Sequence, residues 1–414
     1  MAFTRPIFIL AACTALLGAV HAADITITAK GVSANKQTIS LAALRADDSA
    51  QAREFLQILK GDLVRSGWFV PVDAPSASVV LEGAVQGGGG VSAGATVKWL
   101  NGMRQFGWQK SASHAQIRDA AHALSDKIVA TVAEKKPMAS SKILLVGRRG
   151  GSTEVYQCDA DGARLQQLTS DGKLCLSPTW VPGRNAFLYT SWLSGPPVIY
   201  KVDLDTKRRE PLASYPGMNN GAVIAPSGSI MALVLSRSGG VDLYIQNLMT
   251  RKLTRLTSSN KVNESSPTWA PDGNSLAYIS DEGRVPRLYV MGVGSRQGRR
   301  ATYYSGITEC AAPEWGDNGR IAFCGRTGGR YRIYVLDPGA DPRTAVPEAV
   351  SPADGADYED PSWSPDGRHI VCTRTAGFKR SLTVLDTMGD APQPLISVSG
   401  DWYLPHWSKT NPGH

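Results

Sequence analysis

The sequence predicts a small N-terminal α/β domain followed by an all-β six-bladed β-propeller that a split blade closes. Three observations lead there. A Pro-x-Trp anchor followed by a Pro-Asp-Gly type of turn recurs at nearly constant distance, short apolar runs follow each anchor, and the opening stretch of the chain lacks this period. The anchors are Trp180, Trp269, Trp315, Trp363 and Trp407, with Ile224 replacing the aromatic in a weaker copy, and neighbours lie 44 to 48 residues apart. Pro sets φ for the turn and Gly accepts φ > 0, as at Pro271 to Gly273 and Pro365 to Gly367.

Each period then supplies strands. Phe187, Leu188 and Tyr189, or Leu276, Ala277, Tyr278 and Ile279, form a first apolar run. A second joins an aromatic to β-branched or aliphatic neighbours, as in Leu243, Tyr244 and Ile245 or Ile333, Tyr334 and Val335. A short closing strand is expected at Leu168 and Thr169, Leu256 and Thr257, and Leu395 and Ile396. Short β-rich runs bounded by Gly, Pro, Asp and Ser read as strands and turns. A four-strand unit of this period is a propeller blade, whose faces are buried only when neighbours stack on it.

The ends of the repeat region predict closure. It opens at Lys142 with a run, Ile143 to Val146, that normally follows an anchor, and it ends on Trp407 with a polar tail. One blade should therefore take three strands from the beginning and one from the end, so that no sheet edge is left bare.

In chain order, residues 1–22 read as a secretory signal peptide: Arg5, an apolar run from Ile7 to Val20, then small residues ending at Ala22. A competing lipoprotein-type box, Leu10 to Cys13, would acylate Cys13 instead. Residues 23–136 form the α/β domain. Ile25 and Ile27 alternate with polar neighbours as an opening strand would, and Ala52, Phe55, Leu56, Leu59 and Leu63 fall at helical spacing ahead of Gly67. Strands are expected around Phe69, Val80, Thr96 and Phe106, with turns at Gly87 to Gly90 and at Asn101 and Gly102. A second helix puts Ile117, Ala121, Leu124, Ile128 and Val132 on one face. Residues 137–141 are the linker and 142–414 the propeller.

Composition excludes several classes. The formal charge is +8, one less without Arg5, and the Lys and Arg residues are scattered, which is no nucleic-acid signature. The cysteines beyond the leader, 158, 175, 310, 324 and 372, include no Cys-x-x-Cys pair, so no zinc site is expected. Cys310 and Cys324 flank the turn at Asn318 and Gly319, which suggests a disulfide between them. The histidines, among them His114 and His122 on the second helix, lack His-x-x-x-His spacing and read as surface or partly buried groups. The Gly-x-Ser-x-Gly match at Gly90 to Gly94 follows a glycine turn and comes without the further residues of an α/β-hydrolase domain that a nucleophile elbow needs, and Gly87 to Gly90 lacks the Lys-Ser/Thr of a phosphate loop. No catalytic group, cofactor or metal is expected.

A propeller offers a rim instead, because every blade delivers the position before its anchor to the same mouth of the central channel. Those positions hold Cys175 and Leu176; Asn219, Asn220 and Gly221; Asn263, Glu264, Ser265 and Ser266; Glu309 and Cys310; Tyr358, Glu359 and Asp360; Tyr403 and Leu404. Amides and carboxylates of this kind make a polar protein-binding surface.

The leader, the α/β domain and the propeller ending on its last anchor together resemble the TolB family, the periplasmic component of the Tol-Pal system. Gly61 to Gly67 with Pro71, Val72 and Asp73 is similar to the helix-to-strand junction of that family's first domain. Asn220, Gly221 and Ala222, and Ser266 to Asp272, look like its second and third anchor stretches. The resemblance implies a monomeric, non-enzymatic periplasmic scaffold serving outer-membrane integrity and cell division. It implies binding of the lipoprotein Pal at the mouth, through Asn220, Gly221, Ala222, Ser265, Ser266, Glu359 and Asp360 and the neighbouring rim acids Glu264 and Glu309. It further implies that Ala23, Asp24, Ile25, Thr26, Ile27 and Thr28 face TolA. Ser266 stands where the family often has an acidic residue. The alternative is a secreted propeller enzyme, or a binder of glycans or small ligands, using the carboxylates of the mouth.

Overall fold

The computed structural model describes residues 36–409 apart from 75, 150, 259–261 and 296. The leader, Cys13 and residues 23–28 lie outside the described residues.

The first domain is a five-stranded sheet with two helices on one face. Its strands are β1 (Gln37–Ala46), β2 (Phe69–Pro71), β3 (Val79–Gly87), β4 (Gly90–Trp99) and β5 (Arg104–Ser113), in the order β2-β1-β3-β4-β5, with β2 and β3 parallel to β1. Helix α1 spans Ala50–Arg65 and α2 spans Ile117–Val132. Ser49 caps α1 by accepting the Ala52 N–H at 3.1 Å, and Gly67 ends it at φ +73°. The predicted helical faces are the buried ones: Phe55, Leu59, Leu63, Ile117, Leu124 and Ile128 are all 0% exposed. Strand β1 went unforeseen because its apolar residues do not alternate cleanly; parallel pairing on both sides holds it.

Each propeller blade is a four-stranded antiparallel sheet, and the six inner strands are Cys175–Trp180, Asn219–Ile224, Glu264–Trp269, Cys310–Trp315, Asp357–Trp363 and Asp401–Trp407. Every anchor is the last residue of its inner strand. The indole N–H of Trp269 bonds the Val223 carbonyl of the preceding blade at 3.0 Å, and that of Trp180 bonds the His406 carbonyl at 3.1 Å. The anchors therefore pack between blades, where Trp363 and Trp407 are fully buried. Closure follows the split-blade arrangement: Asp401–Trp407 pairs with Lys142–Arg149, Trp407 opposite Ile143 and Asp401 opposite Arg148.

Two expectations are corrected. The outer strands are Gln166–Gln167, Leu253–Arg255 and Gln393–Pro394, just ahead of Leu168, Leu256 and Leu395. These leucines fold back after the exposed edge, their N–H groups bonding the carbonyls of Val155, Leu243 and Leu382. Cys310 and Cys324 form no disulfide. Cys310 pairs with Gly325 and Cys324 with Ala311, so alternation along the strand sends the two thiols to opposite faces. Cys310 packs against Leu288 and Cys324 against Cys372 and Trp363, in separate cores.

The first domain sits on the end of the propeller where the anchors lie. His122, expected at the surface or partly buried, is 2% exposed there; its Nδ1 is 2.6 Å from Asp62 and its Nε2 3.7 Å from Asp159. Lys142 at 2.5 Å and Arg164 at 2.8 Å bond the same Asp159, and Arg118 bonds Asp159 and Asp161. A second contact stacks the Arg368 guanidinium 4.5 Å from the Trp68 ring while Arg368 also pairs with Asp386, and Lys36 pairs with Asp390 at 2.6 Å. Residues 137–141 are fixed too, since Asp126 accepts the N–H groups of Ala139 and Ser140. Among the described residues no helix is long and apolar enough to cross a membrane.

Candidate functional site

The mouth of the channel faces away from the first domain, and its shape comes from one repeated backbone feature. Three residues before every anchor the chain turns left-handed: Ser177, Gly221, Ser266, Ala312, Asp360 and Leu404 have φ between +43° and +59°. The register with the second strand slips at each of these places. Each is a β-bulge, which bends the strand and re-aims its side chains. Five of the six precede a proline, which donates no ladder hydrogen bond and is tolerated at such a bulge. Only Gly221 adopts this conformation freely; the others store about 1 kcal/mol or more each. Strain repeated around one opening marks the site.

The six bulges line a cavity of about 180 Å³. Below it, Thr179, Val223, Thr268, Glu314 and His406, each one residue before an anchor, also line a second cavity of about 150 Å³ toward the anchor end. This waist stitches the blades together. Thr268 Oγ1 accepts the Trp315 N–H at 3.0 Å, Glu314 the Trp363 N–H at 3.0 Å, Ser362 the Trp407 N–H at 2.8 Å and His406 Nδ1 the Trp180 N–H at 3.3 Å. Burial pushes His406 down to about 4, so its ring is neutral and free to accept. Lys409 neutralises Glu314 from the chain's last described turn.

The expected rim residues separate into three groups. Gly221, Ser266 and Asp360 sit on the bulge ring, with Asn220, Ser265 and Glu359 immediately before them. Asn220 Oδ1 bridges blades by accepting from Ser177 at 3.1 Å and Thr190 at 3.2 Å. Burial, reinforced for Glu359 by Asp360 and Asp357, raises both acids above the usual carboxylate range. Ala222 and Glu264 instead face between blades, 4% and 5% exposed, and burial pushes Glu264 up to about 7. Glu309 stands further out, held by the Tyr331 hydroxyl at 2.6 Å and Arg326 at 3.0 Å, which depress its carboxyl.

Sequence reasoning named Leu404 among the rim positions but missed Ser177 and Ala312 as members of the ring; counting three back from each anchor would have found them. It also missed an outer tier of arginines over tyrosines, Arg374 over Tyr358 and Arg380 over Tyr403 at 3.6 Å, because their spacing reflects no chain period. For metal, one group among the described residues, His122, Asp159 and Asp161, brings donor atoms within 4.8 Å of one another. Arg65, Arg118, Lys142 and Arg164 already occupy those carboxylates, so the cluster is an ion lattice between domains.

Comparison with known proteins agrees with this architecture. The crystal structure of TolB from Acinetobacter baumannii superposes with a TM-score of 0.78 over 90% of this chain and 96% of that one, at 23% identity, a likeness of fold. The Tol-Pal system protein TolB of Gluconobacter oxydans is 28% identical over 198 residues, 46% of this chain and 44% of the relative. That of Bordetella avium is 24% identical over 219 residues, 48% and 49% respectively. The chain thus spans about half the length of the curated relatives it matches. The family model for the TolB beta propeller domain matches residues 129–411, most of the chain. With six stacked blades, a split-blade closure and that match, the chain belongs to the TolB β-propeller family.

Proposed function

We propose that this chain is a non-enzymatic periplasmic component of a Tol-Pal system, acting as a scaffold in outer-membrane integrity and cell division. It binds the Pal lipoprotein at the propeller mouth, through Asn220, Gly221, Ser265, Ser266, Glu359 and Asp360. Residues 23–28 offer the second contact, to TolA. The observation that carries the proposal is the ring of six bulges: six strands present the same left-handed position, strained in five of them, to one opening, on the face the first domain leaves free. The names of the TolB relatives support the system, and the amides and carboxylates on the ring suit a polar protein interface. The buried Ala222 and Glu264 shape the wall and make no direct contact.

The test is titration of residues 23–414 with the soluble domain of the same organism's Pal, comparing wild type with Glu359→Lys. The expected result is saturable binding that the substitution weakens by about 1 kcal/mol or more. Absence of binding at high micromolar concentration contradicts it, and a glycan or small ligand then becomes the reading to pursue.

A further inference from the structure

Phe378 is the most exposed large apolar side chain among the described residues, at 108%. It stands at the tip of the hairpin between His369–Ala376 and Lys379–Asp386, where Gly377 at φ +61° makes the turn. These strands have eight residues each and a two-residue turn, as do Lys142–Arg149 and Ser152–Asp159, whereas the pair Ser275–Ser280 and Arg287–Gly292 is joined by a longer loop. The strand ladder in this hairpin therefore runs up to its tip. It projects on the mouth side, because this hairpin lies opposite the end that carries Trp363 and its partner Ile370.

The hairpin is braced on both strands. Arg374 bonds Asp354 at 2.8 Å and the Tyr358 hydroxyl at 3.0 Å. Arg380 bonds Asp401 at 2.8 Å and lies over Tyr403. An aromatic side chain without neighbours, on a support held this firmly, costs little further conformational entropy when a partner closes over it. Isolated exposed apolar residues are ordinary on a protein surface; a phenylalanine at the tip of a braced hairpin beside a strained ring is a different case.

The charge around it indicates what it meets. On this face Asp354, Asp357, Asp401, Glu309 and Asp171 are each paired with an arginine. Arg148, Lys173, Arg284 and Lys379, all exposed on the same face, have no ion pair among the described residues. The acids there without an ion pair are Asp281 and Glu282 on the neighbouring hairpin and the recessed Glu359 and Asp360, so the exposed free charge at the outer tier is positive.

We propose that Phe378 is the anchor for a folded protein partner whose docking surface is acidic and carries an apolar pocket of phenyl size. The inference rests on the mouth being the docking site and names the chemistry of the partner there. Phe378 enters the pocket, the unpaired cations meet the acidic surround, and the recessed bulge ring receives what projects beyond it. A lipid surface fits less well: a flat bilayer meets the tip and leaves the ring empty.

The experiment titrates residues 23–414 and the variants Phe378→Ala, Phe378→Trp and Lys379→Glu with the soluble domain of Pal, and measures co-sedimentation with phosphatidylglycerol vesicles. The side chain touches nothing within the chain, so the melting temperature stays unchanged and lost binding reads as lost contact. The expected result is at least tenfold weaker binding for Phe378→Ala, retention for Phe378→Trp, and a smaller loss for Lys379→Glu that vanishes at high salt. Wild-type binding with Phe378→Ala within twofold overturns the anchor and leaves the mouth site standing. No binding by wild type removes the mouth site and this inference with it. Vesicle binding lost in Phe378→Ala while Pal binding is unchanged replaces the protein partner by a membrane.

Discussion

The ring of His406 accepts the backbone N–H of Trp180 at 3.3 Å, joining the last inner strand of the propeller to the first. Closure of the ring thus depends on an imidazole that must stay neutral. Burial holds it down at about 4, against about 6.5 for an exposed histidine. A folded value below the unfolded one gives stability that is complete above pH 6.5 and lost as pH falls toward 4. The loss amounts to about 2–3 kcal/mol. Denaturant titration between pH 7 and 4 should show this fall, and His406→Gln should remove most of it while costing about 1 kcal/mol at pH 7.

His122 behaves in the opposite sense. Burial works against its charge, but the nearby Asp159 carboxylate, the hydrogen bond to Asp62 and the negative charge around it prevail and raise it to about 9. The stability it contributes is full below pH 6.5 and disappears as pH rises through 9, about 3 kcal/mol across the window. His122→Gln should flatten that alkaline loss. Limited proteolysis of the variant should cut near residues 137–141, where the wild type resists.

The bulge ring predicts an asymmetry between neighbouring blades. Gly221 has room for a methyl group, the nearest atom being 3.5 Å from its Cβ position, yet its φ of +59° strains any other residue. Gly221→Ala should cost about 1 kcal/mol. Ser266→Gly at the equivalent place should be neutral or stabilising by up to about 1 kcal/mol, because relief of strain offsets the freedom gained by the unfolded chain. Chemical denaturation of both variants measures the pair.

Trp363 is fully buried between blades, its backbone N–H held by Glu314. Trp363→Ala should destabilise by about 3–5 kcal/mol. Ile224→Ala should fall lower, about 2–4 kcal/mol, since less volume is removed. Equal losses in calorimetry would contradict the view that the tryptophans are the principal wedges between blades.

The propeller was legible because stacking imposes a period: one anchor side chain per blade, a Trp in five and Ile224 in the sixth, fills one wedge and returns at nearly the same distance. The missing anchor before Lys142 and the surplus one at Trp407 made closure legible as well. Strand β1 was harder, because parallel neighbours on both sides hold it without requiring alternation. The Cys310–Cys324 expectation failed on register, since one residue of offset across a hairpin reverses the face. At the mouth, Gly221, Ser266 and Asp360 could be reached by counting back from the anchors. Phe378 and the pairs of Arg374 and Arg380 could not, because an exposed hairpin tip and the side chains that brace it answer to no packing period.

The claim that the mouth is the docking face is tested most directly by hydrogen–deuterium exchange of residues 23–414 with and without the soluble domain of Pal. The account predicts protection at 219–221, 263–266 and 357–360 and in the 374–380 hairpin, with little change around Asp317 and Arg184 at the anchor end. Protection confined to the anchor end or to the first domain would contradict it.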